Sequence, residues 1–484
     1  MSEIKSFDVT KKQYVQDESK FAPGEKKAIA IVLTGNFLEY FDLMLFSHLA
    51  FVISPYFMPK EDPLVAKMLS ILTFCSAFAV KPLAAYFWGY LGDNFGRVVV
   101  LSYTTIIMAL TCMLIPNIPP YAEWGIYSTV AIIMCRMLQG FSSAGESKCA
   151  EVFIVEILPN LPKIFIASVL VPITCDLGGF FAAIIGSLCL AFSPEEGWKI
   201  AFYVGAAIAF SSSLSRLKLR ETKEFLNKIN HSKKTETPLR QYFERRNFIA
   251  LLGLNLICPT AFYFAYSVCS DLLKEKVGLS ASTIVFNNSF LLLSEIFFLL
   301  FCARLASRHH PFLILKVRTY ASFVLMPLSF IAILFYPNHF TIFMTQVIAI
   351  LSTASFDPAA PIVIKSFGIS TRFSKYAKAS AFAKAIMYLS TGYLTFYLEK
   401  LFGLWGVLGL LLFFSGIFLV SLYVFVPADK MTETYKNYLN KKGLYFSQLD
   451  DDSVDLSEFN NDEKAKSPDF NKHQQNLLKR WLAQ

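Results

Sequence analysis

The chain has 484 residues, of which 55% are hydrophobic and only 17% charged, with 48 phenylalanines and a formal charge of +9. Soluble proteins average roughly 25% charged residues, whereas apolar runs recur here from near residue 28 to near residue 426. A disordered chain, a fibrous repeat, a disulfide scaffold and an ordinary cytosolic enzyme are excluded, and an all-α polytopic membrane protein is expected.

Residues 1–27 are polar and show no small-residue cleavage site, so they read as a cytoplasmic tail rather than a signal peptide. A membrane-spanning helix needs about 20 mostly apolar residues. Twelve such spans are predicted, at 28–52, 66–90, 98–116, 125–147, 165–191, 198–217, 247–270, 283–304, 312–335, 340–362, 376–398 and 402–426, with Pro358 and Pro361 interrupting the pattern near the tenth. A basic linker at 218–246 separates a six-helix bundle at 28–217 from a second at 247–426. Two halves joined in this way suggest a duplicated transporter with its site between them. The tail at 427–484 is polar; it carries the acidic run Asp450–Asp452 and an amphipathic turn at Leu477, Leu478, Trp481 and Leu482, and shows no sustained heptads.

Lys and Arg concentrate in the N-terminal tail and in 215–246, where Arg216 is the first of the run, while 116–124 and 336–340 contain neither residue. This bias places both termini in the cytoplasm. Because the basic residues lie between apolar runs, without a basic-aromatic module, they are read as topology signals, and no nucleic-acid partner is expected. The nine cysteines form no CxxC pair and read as small buried hydrophobes, with no metal site.

Ionisable residues inside spans cost at least about 2.5–3.5 kcal/mol at the bilayer centre, so they should face a cavity or one another. In the first span Glu39 and Asp42 are three apart and share a helix face with Gly35 and Phe46. Two carboxylates so close in a low dielectric do not easily both ionise, so one is expected to carry a proton; the alternative is that they only hold neighbouring helices. The fourth span places Arg136, Gln139, Gly140, Ser143 and Glu146 on one face. Arg136 needs a carboxylate or a substrate anion, and Glu39, Asp42 and Asp176 are its candidates; a permanent salt bridge is the alternative. Gly178 and Gly179 after Asp176 allow close helix approach.

After the second span, Gly89, Gly92 and Gly96 permit a tight turn, Asp93 is a candidate cap for the third helix, and Arg97 is expected to reach Glu146 as a latch; a plain turn is the alternative. In the second half Glu295 and Lys384 are a candidate pair, and Asn255, Tyr263 and Tyr266 are candidate cavity residues, with simple packing open for each. His48 reads as a satisfied polar residue.

The order Gly35-Asn36-x-x-Glu39-Tyr40-Phe41-Asp42, Lys81-Pro82, Gly89-x-Leu91-Gly92-Asp93-x-x-Gly96-Arg97 and Arg136-Met137-x-Gln139-Gly140-Phe141-Ser142-x-x-Gly145-Glu146, with Gly197-Trp198-Lys199 and Arg220-Glu221-Thr222, resembles the metabolite:proton symporters of the major facilitator superfamily, and most of all their proline/betaine branch. Asp176-Leu177-Gly178 favours that branch over the dicarboxylate one. The resemblance implies the twelve-helix fold, alternating access and proton-coupled uptake of a small zwitterion or organic acid. It also implies Glu39, Asp42, Arg136 and Asp176 as polar cavity residues and Asp93, Arg97 and Glu146 as a cytoplasmic gate. Val98 and Val99 stand where basic residues are common, Lys81 where Arg is usual, and the second-half copy of the loop motif has decayed to Leu305-Ala306-Ser307-Arg308-His309-His310.

A proton-coupled symporter is therefore the leading expectation, with H+ as coupling ion, no cofactor, and no partners beyond a small solute and the bilayer. An exchanger using Arg136 and Lys384 as an anion site and a non-transporting sensor are the alternatives. The chain contains no HExxH, GxSxG or P-loop, so neither an enzyme nor an ATP-driven pump is expected.

Overall fold

The computed structural model describes residues 23–59, 69, 73, 76–158, 161–193, 196–216, 218–222, 224–226, 238–306, 309–353 and 356–427. The N-terminal tail to residue 22, Cys75, linker residues 223 and 227–237, the acidic run Asp450–Asp452 and the turn at 477–482 lie outside them. Among the described residues the architecture is helical throughout. The long helices are α1 (Pro23–Phe57), α2 (Lys81–Phe95), α3 (Arg97–Leu114), α4 (Ile126–Ile157), α5 (Leu161–Phe192), α6 (Gly197–Arg216), α7 (Pro238–Tyr263), α8 (Ala281–Ala306), α9 (Pro311–Phe335), α10 (His339–Thr353), α11 (Arg372–Phe402) and α12 (Leu404–Val424).

Eight of these regions are long and apolar enough to cross a membrane by length and composition alone, and α2, α4, α6 and α11 are not among them. Of these four, α4 and α11 carry the most charges: Arg136, Glu146, Lys148, Glu151 and Glu156 on α4, and Arg372, Lys375, Lys378, Lys384, Glu399 and Lys400 on α11. The predicted fourth span ends at 147, but α4 continues to Ile157 over 32 residues. At 1.5 Å per residue that is about 48 Å, against a hydrocarbon core of about 30 Å. A helix of that length outruns the hydrocarbon core, and Glu151 and Glu156 stand in its last turns.

Helices in lipid gain little from burying apolar surface against one another, so close approach at small residues carries the packing. Along α5, which lies against α1, a Cβ at Gly178 would collide with the Phe37 carbonyl of α1. The two halves meet chiefly through α2 against α11 and α5 against α8. A shift of six helices converts one contact into the other, as a duplicated architecture requires.

Two irregularities have identifiable causes. Pro259, inside α7, removes a backbone donor one turn before a π-helical turn at Phe264–Val268, after which this segment ends in a short helix at Cys269–Val277. The Ala265 carbonyl in that turn accepts a 2.7 Å hydrogen bond from Gln346 Nε2 of α10. The proline-interrupted tenth span breaks as expected, into α10, a 3-10 turn at Asp357–Ala359 and a short helix at Ala360–Lys365.

Candidate functional site

The two halves are tied together at the end that carries the α2–α3 turn. Gly96 makes this turn with φ +113°, a region that L side chains rarely adopt, and a Cβ there would also strike Glu221. Glu221 caps α3 by accepting the Val98 N–H at 3.0 Å. Asp93, a candidate cap for α3, instead caps α11 in the other half: its carboxylate accepts the backbone N–H groups of Phe373 (3.2 Å) and Ser374 (2.9 Å). This placement satisfies free helix-end donors and puts negative charge at a positive helix end.

Arg97 does not reach Glu146. Its Nε and Nη2 donate to Glu156 at 3.1 and 2.9 Å, and its Nη1 lies 3.4 Å from Asp93. Glu156 also accepts from Arg372 Nη1 of the other half (3.2 Å) and from Thr222 Oγ1 (3.0 Å), and Arg372 in turn pairs with Glu224 at 2.6 Å. The overrun of α4 explains the difference, because ten residues of extra helix carry Glu156 to the level of Arg97 and leave Glu146 deeper. Lys375 of α11 pairs with Glu244 of α7, which also accepts the Gly368 N–H at 2.8 Å.

Gly89 and Gly92 let α2 and α11 close upon one another. A Cβ at Gly89 would lie 2.9 Å from the Ser374 Cα, and one at Gly92 would enter the Phe373 ring. Gly89→Val is expected to push α2 off α11. The check is cross-linking of a Tyr86→Cys, Phe382→Cys pair, whose native rings lie 5.9 Å apart across the same seam. The yield should fall severalfold.

Glu146 is buried inside the first half and paired with Arg216 at the end of α6. Arg216 Nη1 donates to it at 2.7 Å, Nη2 also donates to it, and Thr104 adds a further hydrogen bond. In the sequence Arg216 is the first basic residue before the linker; in the fold it is fully buried, with its guanidinium packed on Gly35. Side chains at position 35 other than glycine would occupy the space of that guanidinium.

Glu39 and Asp42 are both buried but turn to different partners. Ser143 Oγ donates to Glu39 Oε1 at 2.5 Å, while Glu39 Oε2 has no partner. Asp42 accepts from Cys112 Sγ (2.6 Å) and Gln139 Nε2 (2.5 Å). Arg136 forms no ion pair with Glu39, Asp42 or Asp176. Its Nη1 donates to Gln139 Oε1 at 2.8 Å, so Gln139 bridges it to Asp42, and its guanidinium lies 4.1 Å from the Phe46 ring. The Arg136 Nε and Nη2 atoms are buried without partners.

Between the halves, Asp176 of α5 lies in the electrostatic field of Glu295 and Asp357 from the second half. Glu295 is near Asp357 and Arg318 rather than paired with Lys384. Lys384 acts instead on Glu39, together with Lys81 of α2. Tyr266 sits with Asp176 and Glu295 and its hydroxyl is buried without a partner. Tyr263 packs toward Gly392 of α11. Asn255 is 4% exposed and donates to the Leu251 carbonyl of its own helix at 2.8 Å.

One further contact crosses the halves. The Tyr376 hydroxyl of α11 donates to Glu151 of α4, and Glu151 also holds Lys148 at 2.6 Å, whose ammonium lies 5.2 Å from the Tyr376 ring. Glu151, Glu156, Arg216, Arg372 and Tyr376 were not among the site residues expected from sequence. The signal available was the continuing run of acids along α4 beyond residue 147.

Residues 32–354 match the family model described as Major Facilitator Superfamily. The chain belongs to the major facilitator superfamily. Family and relatives place it among membrane transporters rather than enzymes. Relatives include the "Proline/betaine transporter" of Salmonella typhimurium, 31% identical over 214 residues that make up 42% of this chain and 42% of that protein. Another is the "Glycine betaine/proline/ectoine/pipecolic acid transporter OusA" of Dickeya dadantii, 31% identical over 209 residues, 41% of each chain. The match thus spans less than half the length of these relatives. Among solved structures, the proton:xylose symporter XylE superposes with a TM-score of 0.67 at 12% identity, covering 82% of this chain and 94% of that one. The human organic anion transporter MFSD10 superposes with a TM-score of 0.61 at 17% identity, covering 84% and 100%. These superpositions show the superfamily fold.

Proposed function

We propose that this member of the superfamily is a proton-coupled symporter of a small zwitterion of the proline or betaine type. It works by alternating access in the plasma membrane, with both termini and the α2–α3 end cytoplasmic. The substrate class rests on the names of the relatives that match about two-fifths of the chain. The mechanism rests on one observation above the others: a seam between two halves is closed at one end by breakable polar contacts, Asp93 on α11 and Arg97–Glu156–Arg372. Coupling requires that proton and solute both favour the same rearrangement of the halves. Glu39 is the better proton carrier of the two buried acids. It keeps one oxygen without a hydrogen bond and feels charges from both halves, whereas Asp42 is held by Cys112 and Gln139 within the first half.

The experiment is uptake into proteoliposomes under an imposed inward proton gradient, with proline, glycine betaine, a dicarboxylate and a tricarboxylate. Accumulation of proline or betaine that a protonophore abolishes is expected. Glu39→Gln should lower accumulation sharply while the protein stays folded, and Asp42→Asn should also reduce it sharply. Near-normal accumulation in both variants would remove the proton site. The partnerless Arg136 nitrogens favour a second reading, exchange of organic anions, which uptake dependent on preloaded counter-substrate instead of a pH gradient would select.

A further inference from the structure

We propose that Lys81 and Lys384, one from each half, form the binding site for the carboxylate of the transported solute. This rests on the symporter reading only in placing the solute between the halves. The placement follows from a ring contact. Phe78, just before α2, stacks on Tyr388 of α11 with centroids 4.5 Å apart and planes at 27°. Lys81 is three residues from Phe78 and 5.0 Å from its ring, and Lys384 is four residues from Tyr388 on α11. Residues three and four apart share a helix face. The stacked rings therefore bring the two lysines to opposite sides of one seam, and both act on the charge of Glu39.

The two ammonium groups are available. Among the described residues neither Lys81 nor Lys384 donates a hydrogen bond or joins an ion pair, and neither nitrogen is among the sealed polar atoms although both side chains are half-buried. Lys148, by contrast, is already held by Glu151 at 2.6 Å. Each ammonium carries three donors and no acceptor, so a partly desolvated lysine that no hydrogen bond holds among the described residues, with Glu39 as the carboxylate it shares, calls for a further anion. Around Glu39 stand Lys81, Lys384 and Glu146, and Lys81 also feels Arg136 and Lys148; with Lys148 held by Glu151 and Glu146 by Arg216, positive charge remains in excess for a carboxylate to offset. When Glu39 takes up a proton the excess grows, so proton and carboxylate bind with mutual reinforcement. A ligand that touches both α2 and α11 also interacts differently with the open and closed seam, which is the condition for it to drive the change.

The test is equilibrium binding to the purified full-length chain in detergent, read as ligand-induced thermal stabilisation. The ligands are proline, glycine betaine, succinate and citrate, with prolinamide as the analogue lacking the carboxylate charge. A carboxylate should stabilise the protein and prolinamide should not. Lys81→Met and Lys384→Met should each weaken binding at least tenfold while leaving the unliganded melting temperature within a few degrees, and Lys81→Arg should restore most of the affinity. Affinity kept within twofold in both methionine variants, equal binding of proline and prolinamide, or no stabilisation by any carboxylate would overturn the proposal. The comparison of acid with amide is made on the native chain, so it stands if a variant fails to fold. Binding at equilibrium needs no gradient, so failure of proton-driven uptake leaves this result unchanged.

Discussion

Replacing Arg216 with methionine is expected to cost the fold about 3–5 kcal/mol, the usual penalty for removing one partner of a buried ion pair. Arg216 is fully buried and Glu146 is 2% exposed. The guanidinium donates to both carboxylate oxygens, to Thr105 and to the Leu101 carbonyl. Its loss strands a charged carboxylate among α3, α4 and α6, with only the hydroxyls of Thr104 and Thr105 still beside it. The measurement is thermal unfolding of the detergent-purified protein, where a clear drop in melting temperature and in folded yield is expected. The double variant Arg216→Met, Glu146→Met should recover much of the loss, because a buried pair replaced by apolar residues of similar volume is often neutral. A single variant that melts with the native protein would show that the pair contributes nothing. Gly35→Val should resemble Arg216→Met, since a branched side chain at position 35 takes the guanidinium's place.

Glu156→Gln is expected to open the α2–α3 end without unfolding the protein. Glu156 binds Arg97 of the first half and Arg372 of the second, so it holds guanidinium groups from both sides of the seam. Truncating a buried hydrogen-bonded charge pair across an interface costs about 2–5 kcal/mol. Even the lower value changes a two-state ratio by roughly 30-fold, since about 1.4 kcal/mol is a factor of ten. Spin labels at Asn94 and His309, both exposed, read the separation of the halves at this end. The variant should show a longer distance population that is minor in the native chain. An unchanged distribution would mean that Asp93 on the α11 terminus and the Tyr376–Glu151 contact close the seam by themselves.

The first half was the more legible in sequence because its polar residues stand inside apolar runs, where each one is conspicuous. Glu39, Asp42, Arg136 and Gln139 are all found buried there. What failed was partner assignment. Arg97 was matched to Glu146 on the assumption that α4 ends at 147, and ten further residues of helix made Glu156 the partner instead. Arg216 adjoins a basic linker and counts in the sequence as a topology signal, yet it is sealed against Gly35. Glu295 and Lys384 are a candidate pair on their positions within two spans, which do not specify which way a helix face turns.

Hydropathy over twelve apolar stretches determined the membrane class, the division into six and six helices and the glycine-rich turn at 89–97, because these depend on local composition and backbone freedom. The tertiary structure alone decided which charges meet: Asp93 on the α11 terminus, Glu156 between Arg97 and Arg372, Arg216 with Glu146, and Lys81 across the seam from Lys384. The physical reason is that a charge in a low dielectric must find a partner within a few ångströms. Which partner it finds depends on helix length, rotation and crossing, and these are set by packing between segments far apart in the chain.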